Sequence, residues 1–160
     1  MRYELFDQDE LIALIGQDMK VQDYTHALEK VKFMMQAEQF PVSLFSLAGK
    51  LYATLELFER ARFYFAEYIR HVPNAQIELF QLGMVERDIG NLDAAIAIWE
   101  DMDDKLNNPE AQYYLADVYV SQNNLEKARS SLLNILENAP DGSPFIPMAD
   151  KLLNRLKAEF

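Results

Sequence analysis

The sequence holds only two histidines, His26 and His71, and neither stands in a pattern that catalysis or metal binding needs. His26 adjoins Ala27. His71 precedes Pro73 near the end of a helical pattern, where a cation is favoured by the helix dipole. Both are expected to be structural or merely exposed. Cysteine is absent, which removes thiol nucleophiles, disulfides and zinc–thiolate sites together. No HExxH, GxSxG, Walker-type loop or GxGxxG occurs, and the five glycines leave no phosphate-cradling loop. Carboxylates are abundant, yet nothing in their spacing brings a pair into a cleft. These residues imply no enzyme, no cofactor and no metal.

Two other runs carry chemistry of a different kind. Arg62-Phe63-Tyr64-Phe65-Ala66-Glu67-Tyr68 is aromatic. Phe65 and Tyr68 fit a buried helical face, whereas Phe63 and Tyr64 do not both fit it and form a candidate homodimer or docking face. Glu100-Asp101-Met102-Asp103-Asp104 is acidic and ends a helical pattern, where negative charge opposes the dipole. A solvated face is its ordinary meaning; docking of a basic partner is the alternative. The chain as a whole has a net charge of −11, a field that repels nucleic acid and anionic membrane surfaces. Glu4, Asp7, Asp9 and Glu10 crowd the N-terminus, and Leu11 to Ile15 is too short for a signal-peptide core. No stretch approaches the roughly 20 apolar residues needed to span a bilayer. The expectation is a cytoplasmic protein without membrane insertion.

The elements that hold these residues are helices. All six prolines fall at joints between long segments whose apolar residues recur at three- and four-residue spacing. The segments repeat. Ala27, Ala61, Ala95 and Ala128 are spaced by 34, 34 and 33 residues. Three residues earlier stand Tyr24, Phe58, Leu92 and Leu125; four later, Val31, Phe65, Trp99 and Leu132. Met34, Tyr68, Met102 and Ile135 follow seven later, and Leu14, Ala48, Leu82 and Leu115 come thirteen earlier. Chance yields such uniform hydrophobicity about once in 10⁵ frames. Each period splits into two helices. In the fourth copy these are Glu110–Ser121 and Leu125–Glu137, around a polar turn in which Asn123 fits a capping box with Glu126. The third copy turns at Gly90-Asn91. Gly49, Gly83 and Ala116 share one small-residue place, where a missing side chain lets the partner backbone approach.

This pattern resembles the tetratricopeptide repeat, a 34-residue helix–turn–helix unit. Leu115, Ala116, Tyr119, Leu125, Ala128 and Pro140 match it in the fourth copy; Gly49, Tyr52, Ala61, Phe65 and Pro73 match it in the second. The third copy matches at Leu82, Gly83, Gly90, Ala95 and Trp99, but Glu86 replaces the aromatic residue and Asn107 the closing proline. In the first, Asp18 stands at the aromatic place, Ile15 at the small one and Gln39 at the proline. Residues 8–41 are thus either a true repeat or a degenerate cap. The resemblance implies an all-α, right-handed α–α superhelix forming a single domain over 1–160, with repeats at about 8–41, 42–75, 76–108 and 109–142. Pro147 to Ala158 is amphipathic and is expected to cap the last apolar face.

The family's functional face is the concave groove lined by first helices. In this register Ile12, Gly16 and Met19 face it from the first copy, Ser43, Ser46, Lys50 and Ala53 from the second. Ile77, Phe80, Met84 and Arg87 follow from the third, then Glu110, Tyr113, Asp117 and Val120 from the fourth. Apolar anchors among isolated charges suit an amphipathic or extended peptide of a partner protein. The single cation at Lys50 does not make the clamp by which related repeats grip chaperone C-termini. The resulting expectation is a non-enzymatic adaptor or assembly scaffold. Its alternatives are a cytoplasmic chaperone for a secreted or aggregation-prone client, or a homo-oligomeric element built on Phe63 and Tyr64.

Overall fold

The computed structural model describes residues 1–158, and among them the regular structure is helical. It divides into two compact units, Met1–Ile89 and the residues from Gly90 onward. The first holds α1 (Gln8–Lys20), α2 (Tyr24–Met34), α3 (Ser43–Thr54), α4 (Phe58–His71) and α5 (Gln76–Ile89). The second holds α6 (Leu92–Asp101), α7 (Pro109–Ser121), α8 (Leu125–Asn138) and α9 (Phe145–Ala158). Each expected repeat supplies two helices, and the division between units falls inside the third. The expected capping helix begins two residues early, which leaves Pro147 within the first turn, where a missing N–H is harmless.

The turn between paired helices has one geometry four times over. Gln22, Glu56, Gly90 and Asn123 hold repeat-equivalent places, and all four have positive φ, at 61°, 57°, 99° and 59°. At three of them the amide of the next residue closes on the carbonyl at the far end of the preceding turn, in the Schellman manner. Asp23 bonds Asp18 (2.8 Å), Leu57 bonds Tyr52 (2.9 Å) and Asn124 bonds Tyr119 (2.8 Å). Asn123 therefore serves the end of α7. The cap of α8 is Asn124, whose side chain accepts from the Lys127 amide at 3.3 Å, one residue later than the sequence indicated. Elsewhere the caps are direct. Asp7 and Glu10 form a reciprocal capping box on α1, and Asn108 caps α7 ahead of Pro109.

Within the first unit α1 packs on α2, α3 on α4, and α4 on α5. Leu11, Ile15, Ala27, Val31, Leu44, Ala48, Leu51 and Phe65 form its core. The small-residue place has a direct cause in α3. A Cβ on Gly49 would stand 2.7 Å from both Cδ1 and Cε1 of the Phe65 ring, itself fully buried. In the first copy the volume is redistributed, with Ile15 in the place of Gly49 and Val31 in that of Phe65, both fully buried. Gly49→Ala is expected to destabilise by about 1–2 kcal/mol, overpacking outweighing the gain in helix propensity. Adding Phe65→Leu should recover part of that loss in a double-mutant cycle by chemical denaturation; additive losses would contradict the contact.

In the second unit α7 packs on α8 and α8 on α9. Trp99, Leu132, Ile135 and Leu156 are fully buried. Helix α6 stops at Asp101, which makes it four residues shorter than α8, and the chain turns through a short 3₁₀ segment, Lys105–Asn107, before α7.

Candidate functional site

The expected groove residues of the first unit are largely consumed by the unit itself. Ile12 and Met19 are half-buried and pack against its core. Ser46 is buried rather than presented, and its hydroxyl donates to Glu78 Oε1 at 2.7 Å. Lys50 Nζ lies 3.5 Å from the same oxygen, so the groove's one early cation neutralises an almost buried carboxylate on α5. Phe80, expected as an exposed anchor, is 6% exposed. Met84 is half-buried, and Arg87 donates through Nε and a terminal nitrogen to Asp88 Oδ1 (3.2 and 3.0 Å). The period alone points Ser46 and Phe80 outward. It carries no information about Glu78 or about what covers a ring.

The aromatic place of the repeat shows the same internal compensation. At Tyr52 the ring stacks on Tyr64, centroids 5.4 Å apart and planes at 4°. Burial, then the neighbouring Tyr52, raises the Tyr64 hydroxyl's pKa above its ordinary value. One repeat earlier, at the equivalent pair of positions, Asp18 and Lys30 form an ion pair at 2.6 Å, with Lys30 buried. In the third copy Glu86 is buried and pairs with Arg62 Nε at 2.8 Å. In the fourth, Tyr119 donates to Glu100, with the Lys127 ammonium 5.3 Å from the Tyr119 ring centroid. Burial first, then the Glu100 carboxylate, holds the Tyr119 hydroxyl far above its ordinary pKa. The acidic run is thus partly structural. Glu100 also lies 3.6 Å from Lys127, and Met102 is buried. An opening of ≈ 540 Å³ lies between the end of α6, at Glu100 and Asp101, and Gln112, Leu115, Tyr119 and Ser131.

In the second unit part of the first-helix face is open. Asp117 is exposed, Val120 is half-buried, and the Tyr113 ring is half-buried between Tyr114 (5.8 Å) and Phe145 (5.9 Å). Tyr113 forms one wall of a cleft of ≈ 240 Å³ whose other wall is α9, with Met148, Lys151, Leu152 and Arg155. The α9 residues were not among those expected from the sequence, because that helix figures there only as a cap. Its cations at Lys151 and Arg155, one turn apart, were the available signal. On α4, Phe63 is 57% exposed while Tyr64 is turned into its stack, so the aromatic run presents one ring rather than two. Among the described residues no three His, Cys, Asp or Glu side chains gather as a metal site. Nor is any helix there long and apolar enough to cross a membrane.

Paired helices of one register, the repeated left-handed turn and the small-residue contact agree with the family named above. The family's sequence profile matches residues 87–146. Over that stretch the sequence has the tetratricopeptide-repeat pattern. Solved TPR structures share its all-α fold over more of its length. YrrB, a TPR protein with an unusual peptide-binding site, has 22% identity and a TM-score of 0.77, over 88% of this chain and 73% of its own. TTC0263, a thermophilic TPR protein of Thermus thermophilus, has 22% identity and a TM-score of 0.72, over 92% and 81%. A TPR protein from Parabacteroides merdae has 17% identity and a TM-score of 0.81, over 95% and 60%. A comparison with curated proteins gives no match. In general terms a TPR chain is a protein-interaction module.

Proposed function

We propose that this TPR chain is a non-enzymatic adaptor or assembly module that holds a peptide or helix of a partner protein against its first-helix surface. The observation that carries the reading is α7. Its outer face keeps a half-buried aromatic ring at Tyr113 beside an exposed carboxylate at Asp117, whereas Ser46 and Lys50 are occupied within their own unit. A rigid aromatic anchor among polar groups is the usual make-up of a binding hot spot. YrrB, whose fold this chain shares, has a peptide-binding site. Affinity capture from native lysate tests the reading. Tyr113→Ala is expected to lower partner recovery about tenfold or more. Ser130→Ala, on the exposed side of α8, should leave it unchanged. Equal recovery with both variants would overturn the assignment.

A second reading, self-association, rests on Phe63. With 57% of its surface exposed on α4, it leaves an aromatic face that a second copy would cover. If so, the mass by light scattering rises with concentration and Phe63→Ser abolishes the rise. A constant monomer mass would dismiss this reading.

A further inference from the structure

The cleft between α7 and α9 is rimmed by two neighbouring cations, Lys151 and Arg155. In a protein of net charge −11, the cations buried or half-buried in the first unit are matched internally: Lys30 with Asp18, Lys50 with Glu78, Arg62 with Glu86. On α9 they are not. Lys151 and Arg155 are exposed, lie one turn apart, and have no ion-pair partner within 4.0 Å among the described residues. The nearest carboxylate on their own helix, Asp150, accepts from Asn154 at 3.3 Å. On the facing helix, Asp117 is exposed and makes no ion pair with either cation.

Below the two cations the cleft is apolar. Met148 is 39% exposed, Leu152 is buried, and Tyr113 stands opposite them, braced by Phe145. At ≈ 240 Å³ the space suits one or two side chains rather than a folded domain. From this arrangement we infer that the α7–α9 cleft docks an acidic segment of a partner protein. One apolar side chain of that segment enters between Tyr113 and Met148, and flanking carboxylates meet Lys151 and Arg155. This rests on the proposed binding function and names the chemistry of its partner. Rim charges of this kind set specificity and encounter rate, and they act most strongly at low salt. The field of the whole chain repels anions, so a local cationic pair over an apolar slot selects an acidic segment that also carries an anchor, and gives nothing to a bare polyanion.

The test is a fluorescence-anisotropy titration of the full chain with three labelled peptides, each with a central leucine flanked by glutamates, by serines or by lysines. The glutamate peptide is expected to bind saturably, and to weaken at high salt. Lys151→Glu combined with Arg155→Glu should weaken it at least tenfold, and Tyr113→Ala should weaken it too. Binding of the glutamate peptide that is equal in the charge-reversed variant, indifferent to Tyr113→Ala, or absent overturns the inference. If the serine peptide binds as well as the glutamate one and depends on Tyr113, the cleft remains a docking site but its preference for anions is refuted. If none of the three binds, and partner capture also ignores Tyr113→Ala, the binding function of this face falls as well. A concentration-dependent mass that the charge reversal abolishes assigns the cleft to a second copy of the chain, against a separate acidic partner.

Discussion

Asp18→Ala is expected to destabilise the first unit by about 3 kcal/mol or more, although Asp18 lies away from the proposed binding site. The reason is its partner. The Lys30 side chain is 3% exposed, and the Asp18 carboxylate at 2.6 Å is its principal counter-charge. The other contacts of the ammonium are weaker: the His26 carbonyl at 3.5 Å and the Tyr3 ring, whose centroid is 5.5 Å away. Removing the carboxylate leaves the buried ammonium without its counter-charge. The same geometry offers a rescue. Thirty-four residues on, the two positions are held by Tyr52 and Tyr64, whose rings stack. The double substitution Asp18→Tyr, Lys30→Tyr should recover most of the loss, because an apolar pair of fitting volume generally replaces a buried ion pair at little cost. Urea denaturation followed by circular dichroism checks both. A loss below about 1 kcal/mol for Asp18→Ala, or a double variant no better than the single, would contradict the equivalence of the two pairs.

Trp99→Ala should cost the second unit about 3–5 kcal/mol, the range for deleting a large buried ring. Trp99 is fully buried, and its ring centroid lies 6.3 Å from that of Tyr114. With α6 ending at Asp101, few other side chains on that helix can take up the void; Ala95 is the only other residue on it that is buried. Trp99→Phe keeps much of the volume and should retain most of the stability. Denaturation by circular dichroism is again the measurement, and a small loss for Trp99→Ala would show that the helix contributes little to the unit.

The helices and their pairing were legible because a period of about 34 residues repeats the same burial demand in each copy. Ala27, Ala61, Ala95 and Ala128, which framed the repeat, are all fully buried. The turn was legible at Gly90 but not at Gln22 or Glu56, where non-glycine residues take the same left-handed conformation because the flanking helices impose it. Individual side-chain destinations were less visible. Ser46 and Phe80 occupy positions that face the groove by register and are buried, since burial is decided by neighbours such as Glu78 that the period does not specify. Departures from the family pattern at Asp18 and Glu86 looked like losses. Each is matched by a cation, Lys30 or Arg62, that only the packing of adjacent helices brings near. The cationic rim of α9 was hidden by its reading as a cap: covering the last apolar face is the task of one side of that helix, and Lys151 and Arg155 lie on another.

Site-specific photocrosslinking tests the central claim most directly. A photoreactive phenylalanine analogue at Tyr113, on the open face of α7, is compared with the same analogue at Ser130, exposed on α8. In native lysate the account predicts discrete protein adducts from position 113, reduced by excess glutamate–leucine peptide, and none of them from position 130. The same adducts from both positions, or from position 130 alone, would contradict it.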